Sequence, residues 1–159
     1  MTKNSRIKSS EYIDETYRIS FKFNGKTYHG FKGDTLASAL IANNVHLVGR
    51  SFKYHRPRGI MTSGSEEPNA IVQINPGSKR TEPNIRATEV EIYEGLEASS
   101  QNCWPSVEFD IGGINNFLSP FFPAGFYYKT FMWPANFWEK YEFFIRHSAG
   151  LGKSPTTND

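Results

Sequence analysis

Residues 18–31, RISFKFNGKTYHGF, constrain the fold more than any other stretch of the chain. Ile19, Phe21 and Phe23 alternate with polar neighbours, the period of a half-buried strand. Asn24-Gly25 then supplies the two positive φ angles of a type I′ turn, so the two flanking strands must double back as a hairpin. Gly33-Asp34 follows, and Asp34 is placed to cap a helix running through TLASALIAN (35–43). Leu36, Leu40 and Ile41 give that helix one apolar face, while Ala37 and Ala39 are small enough for close packing on a sheet. Asn43 and Asn44 can end it, because Asn tolerates the left-handed C-cap conformation.

Further strands are expected at AIVQIN (70–75) and TEVEIY (88–93). In the second, Val90 and Ile92 alternate with Glu89, Glu91 and Tyr93. A hairpin, a helix and later strands make an α+β chain that opens as a β-grasp fold does. The organisation expected is a polar arm over 1–16, a β-grasp domain over 17–98, and an aromatic-rich, partly helical extension and linker over 99–159. Between helix and later strands lies an irregular segment, 45–69, and a loop that long is usually functional or disordered. In the extension, residues 117–144 hold 13 of the chain's 24 aromatics. A core of this size cannot bury them all, which points to a docking surface. A final helix is expected, with Pro134 in its first turn and Phe137, Trp138, Tyr141, Phe144 and Ile145 on one face, stopped by Gly150 or Gly152.

Several function classes are excluded by what is missing. Cys103 is the only cysteine, so there is no internal disulfide and no Cys-only metal site. It reads as a packed thiol beside Trp104, since nothing near it in sequence would activate it. His29, His46, His55 and His147 show no ligand spacing. Glu66-Glu67 and the glutamates at 82–97 read as a solvated face. There is no apolar leader and no run of apolar residues long enough to span a bilayer. The expectation is a cytoplasmic chain with no membrane partner.

The segment HLVGRSFKYHRPRG (46–59) is the chemically suggestive one. Arg50, Lys53, Arg56 and Arg58 occur there with two histidines and no acid, and Pro57 stiffens the backbone between two arginines. Guanidinium groups fork onto phosphate oxygens. The plain alternative is a solvated basic loop paired with the glutamates at 82–97. Basic residues interleaved with Phe52, Tyr54 and His55 also suggest a module for single-stranded nucleic acid. A net charge of only +2 argues against that partner.

Two long stretches, DTLASALIANNVHLVGRSFKYHRPRGIMTSGSEEPNAIVQIN and TEPNIRATEVEIYEGLEASSQNCWPS, resemble the N-terminal region of the α subunits of heterotetrameric sarcosine oxidases. FPAGFYYKTFMWP resembles the same proteins, so the likeness runs from about residue 17 to the end. The resemblance implies a ferredoxin-like β-grasp domain, a relative of plant-type [2Fe–2S] domains. In cluster-bearing relatives the arginine-proline-arginine-glycine loop runs into cysteines spaced five and then three residues apart. That spacing places Thr62, Glu67 and Ala70 where three cysteines would stand, so no cluster is expected. The whole complex implied is an amine-oxidising oxidoreductase with FAD, FMN, NAD and tetrahydrofolate. It converts sarcosine to glycine with hydrogen peroxide and transfers the one-carbon unit. The remainder of the α subunit and the other subunits are the implied partners. A phosphate-binding G-x-G-x-x-G would be expected shortly after residue 159, which makes this chain read as a truncated piece, not catalytic alone. Arg50, Lys53, Arg56 and Arg58 are candidates for contact with the FMN phosphate or with an interface. After anaerobic treatment with iron and sulfide, the chain is expected to stay colourless and iron-free; visible absorbance with bound iron would restore the ferredoxin reading.

Overall fold

The computed structural model describes residues 5–6, 11–75, 81–121 and 135–148. Strands β1 (Asp14–Phe23) and β2 (Lys26–Lys32) form the expected hairpin, with Ser20 opposite His29 and Phe21 opposite Tyr28. Asn24 and Gly25 carry φ of 50° and 76° at its tip, as a type I′ turn requires. Ile19, Phe21 and Phe23 are buried while Lys22 faces solvent.

Helix α1 spans Leu36–Ala42 and lays Leu36, Ala37, Ala39 and Leu40 on the sheet. Two details differ from expectation. The N-cap is Thr35 rather than Asp34: its Oγ1 accepts the Ser38 N–H at 3.1 Å. Asp34 lies one residue earlier and is fully buried. It accepts the Phe31 N–H at 2.9 Å and the Ser38 hydroxyl at 2.8 Å, and pairs with Arg6. Ile41, expected on the apolar face, is 38% exposed, because Ala37 and Ala39 complete the buried stripe instead. The helix ends as foreseen, with Asn43 as C-cap and Asn44 at φ 60°.

A short ribbon follows, β3 (Gly49–Arg50) paired with β4 (Pro57–Arg58). Then come β5 (Ile71–Ile74), β6 (Glu82–Arg86) and β7 (Glu97–Ser100). The five-stranded sheet has the order β2-β1-β7-β5-β6, with β1 and β7 parallel and the other neighbours antiparallel. This is the α+β, β-grasp arrangement that the hairpin and helix announced.

The strand expected at 88–93 is not one. Residues 87–89 turn, and beyond them only Glu91 makes an isolated bridge, to Thr35. The reason lies at the start of α1, whose first N–H groups have no partners within the helix. The Ala87 and Val90 carbonyls accept from Ala37 and Leu36 at 2.9 and 2.7 Å, and the Ile92 N–H donates to the Asp34 carbonyl at 3.0 Å. This segment therefore serves the helix end instead of a sheet edge. Its apolar alternation is real, with Ile92 buried and Val90 packed against the core, but it does not make a ladder.

Past the sheet come α2 (Ile114–Phe117), between short 3-10 turns, and α3 (Trp138–Ser148). Helix α3 falls where a final helix was expected; Pro134, Gly150 and Gly152 lie outside the described residues, and so do the side chains of Phe144 and Ile145. Among the described residues no helix is long and apolar enough to cross a membrane. The core joins Phe21, Phe23, Leu36, Leu40, Val48, Val72 and Leu96. Leu40→Ala should lower the unfolding free energy by about 2–5 kcal/mol, by lost transfer energy and an unfilled cavity. Ile41→Ala should have a much smaller effect, and urea titrations of both variants check this.

Candidate functional site

The basic loop is built on the β3–β4 ribbon. Val48 and Ser51 donate their N–H groups to the Arg58 and Arg56 carbonyls, both at 2.9 Å. His55 sits at the tip with φ 52°. The loop is fastened to the chain that follows the sheet. Arg50 is half-buried, and its guanidinium donates to the Val107 carbonyl at 2.8 Å, the His55 carbonyl at 3.1 Å and the Glu108 carbonyl at 3.2 Å. His55 Nδ1 lies 2.7 Å from Asp110 Oδ2. Asp110 is anchored in turn, its Oδ1 accepting the Trp104 and Gly112 N–H groups at 3.0 and 3.1 Å. Gly112 makes the approach possible, since a Cβ there would lie 2.3 Å from the His55 ring.

The four candidate cations do not converge on one partner. Lys53 and Arg56 lie over the same Tyr54 ring, each 4.8 Å from its centroid. Arg56 Nε also donates to Asn116 Oδ1 at 2.8 Å, and Arg58 donates to Asn69 Oδ1 at 3.0 Å. Arg50 points its donors at carbonyls, as above. The arginines thus bind neutral oxygens and a ring rather than the glutamates at 82–97. Tyr54, which a nucleic-acid reading needs as a stacking platform, is already covered by two cations. Lys53, Arg56 and Arg58 remain exposed.

The loop at 60–70 holds a dense cluster of polar contacts. Glu67, read from sequence as part of a solvated face, is 1% exposed. Its Oε2 accepts the Met61 and Thr62 N–H groups at 2.7 and 2.6 Å, and its Oε1 accepts those of Asn69 and Ala70 at 2.7 and 3.1 Å. The Thr62 hydroxyl is 3.3 Å from Oε2. Burial works to raise its pKa, but the hydrogen bonds from Thr62, Asn69, Met61 and Ala70 outweigh it and hold the pKa down at about 2. Thr88, which the sequence did not single out, is buried beside this loop, and its hydroxyl donates to the Gly64 carbonyl at 2.8 Å. Only contact across the fold could have found it.

A [2Fe–2S] cluster requires thiolates, and the residues present do not fit one. Thr62, Glu67 and Ala70 offer a hydroxyl, a carboxylate and a methyl group. Among the described residues no three His, Cys, Asp or Glu side chains converge as a metal site. Cys103 is half-buried, and burial, with the Asp110 charge adding to it, raises its pKa. That leaves an unreactive thiol. An open cleft of about 500 Å³ lies beside β2, lined by Arg6, Glu15, Arg18, His29, Asn43 and Asn44 among others. Arg6 there is already committed to Asp34.

Two outcomes follow from this geometry. A carboxyl group whose pKa is depressed in the folded state supports folding in full above its ordinary pKa, and that support is lost as pH falls toward the folded value. Stability to urea should therefore decline between about pH 4.5 and about pH 2 through Glu67. Arg50→Lys keeps the charge but not the fork onto three carbonyls. Amide exchange over 104–113 should accelerate at least tenfold in that variant (about 1.4 kcal/mol of local opening), with the β1 and β7 amides unchanged.

A family model described as "2Fe-2S iron-sulfur cluster binding domain" matches residues 16–103. The sarcosine oxidase subunit alpha of Rhizobium meliloti (strain 1021) is 61% identical over 150 residues, which is 94% of this chain and 15% of that protein. The subunits of the same name from Corynebacterium sp. strains U-96 and P-1 are 32% and 37% identical, over 62% and 55% of this chain and 11% and 9% of theirs. This chain thus spans about 15% or less of the length of the curated relatives it matches. The solved L-proline dehydrogenase from P. horikoshii is a looser likeness, with a TM-score of 0.43 at 23% identity over 53% of this chain and 15% of that one, and nothing rests on it. With the model match covering more than half the chain and the resemblance to sarcosine oxidase α subunits running nearly its whole length, the chain belongs to the 2Fe-2S iron-sulfur cluster binding domain family, in a form with a single cysteine.

Proposed function

We propose that this chain is the N-terminal structural and docking region of a sarcosine-oxidase-type α subunit, and that it is not catalytic by itself. The observation that carries the reading is the apolar surface on the segment after the sheet. Trp104, Phe109 and Phe117 are 69%, 70% and 83% exposed, and Ile111 and Ile114 between them are also exposed. Exposed apolar groups gathered in so short a stretch of chain mark an interaction surface. That segment is not loosely attached: Arg50 and the His55–Asp110 pair fix it to the basic loop. A surface held in place by such polar contacts can dock without a large ordering penalty.

The partners are the remainder of the α subunit and the other subunits of such an oxidase, whose sarcosine oxidation, flavins, NAD and tetrahydrofolate chemistry reside outside this chain. The α+β unit is taken as residues 17–98 with the aromatic extension after it, in a cytoplasmic complex. Within that reading the four basic residues divide their work. Arg50 positions the loop, while Lys53, Arg56 and Arg58 present charge outward, where an FMN phosphate or an acidic interface would meet it.

Co-expression with the flavin-bearing β-type chain and the rest of an α-type chain tests the proposal. A stable co-purifying complex is expected, and the double variant Phe109→Ser, Phe117→Ser should weaken it at least tenfold (about 1.4 kcal/mol) with unchanged circular dichroism. A soluble monomer that ignores both partners would overturn the docking role.

A further inference from the structure

Thr62, Glu67 and Ala70, where the spacing expects cysteines, do not accommodate a cluster, yet the loop around them turns several backbone donors inward. Four N–H groups, from Met61, Thr62, Asn69 and Ala70, point inward to one small volume. Iron–sulfur centres present negative charge and sulfur acceptors to such donors. Inward-facing donors with nothing to accept them would be buried and unsatisfied, which a fold does not tolerate cheaply.

We propose that the Glu67 carboxylate is a resident anion that takes over the structural task of the family's cluster: it collects the inward N–H groups of residues 61–70 and holds the loop closed without metal. The donor and acceptor capacities match. An ionised carboxylate has about four lone-pair positions on two oxygens, and four backbone N–H groups meet them, two on each oxygen, with the Thr62 hydroxyl a longer contact to Oε2 at 3.3 Å. The side chain comes from the position where the spacing expects a cysteine, so the anion rises from inside the loop it organises.

The surrounding contacts point the same way. A plant-type site takes its fourth ligand from chain well beyond the first three. Here Thr88 is one of the residues reaching the loop from that direction, and its hydroxyl donates to the Gly64 carbonyl. Arg86 Nε donates to the Glu67 carbonyl at 3.2 Å, and Arg58 reaches Asn69. The Glu66 side chain lies against Gly64. Arg86 and Arg58 thus brace the loop's backbone and an amide side chain, while Glu67's own oxygens are met by uncharged donors. The loop is consequently built to be metal-free, and electrons do not pass through it. This inference is independent of the docking role.

Amide exchange on the full 159-residue chain at neutral pH tests it, comparing the native protein with Glu67→Gln. The glutamine oxygen can accept from two N–H groups, but its NH2 opposes the other two. Exchange at Met61, Thr62, Asn69 and Ala70 should accelerate at least tenfold while Lys22 and Asn24, in β1 and its turn, keep their protection. Full protection at the four amides in the variant would show that the carboxylate is incidental and overturn the proposal. If Glu67→Gln does not fold, carboxyl-carbon NMR of the native chain decides instead. Glu67 titrating near 2, with the four loop amides shifting alongside it, is expected; titration near 4.5 would overturn it. Stoichiometric iron uptake by the native chain on anaerobic reconstitution would overturn it as well.

Discussion

A buried carboxylate either finds hydrogen-bond donors or gives up its charge, and two such groups shape two of the irregular junctions of this fold. Glu67 gathers four backbone N–H groups and so sets the path of the chain from Met61 to Ala70, immediately before β5 enters the sheet. Asp34 does the same between β2 and α1. It receives the Phe31 N–H, the Ser38 hydroxyl and the Arg6 guanidinium, so strand end, helix start and N-terminal segment meet at one carboxylate. Breaking either group's contacts leaves several donors unsatisfied at once, which is why single residues govern whole junctions.

The basic loop shows how a charged segment can serve architecture. Arg50 is the kind of cation a sequence reader assigns to a phosphate, yet its planar fork is occupied by three main-chain carbonyls. Guanidinium suits that task because it is weakly hydrated and presents several donors in one plane. Its effect is mechanical: the loop and the segment carrying Trp104 and Phe109 become one surface. The remaining cations of the loop stay outward, so a single short stretch provides both an internal clamp and an external charge.

How much of this was legible depended on whether the causes were local. The hairpin was, because Asn24-Gly25 and a period of two are enough to specify it. Helix α1 was, apart from its cap and the exposed Ile41: Asp34 and Thr35 are both good capping residues, and only burial assigns them different jobs. The supposed strand at 88–93 has the right alternation, but its carbonyls are needed by the helix start, a demand that arises after the chain has folded. The edge strand β6, EPNIR, carries no clear alternation and contains a proline, so nothing local announced it.

The same division holds at the candidate site. The sequence by itself determined that a four-thiolate cluster site cannot be assembled from this chain, because it contains a single cysteine. It also determined the composition of the basic loop and the aromatic excess of the extension. Tertiary structure alone decided that Glu67 is an internal anion rather than a surface charge, that Thr88 closes its loop, and that Arg50 is a clamp. Those roles depend on which backbone N–H and carbonyl groups converge in space, and convergence of groups distant in sequence is fixed by packing, not by any spacing that can be read along the chain.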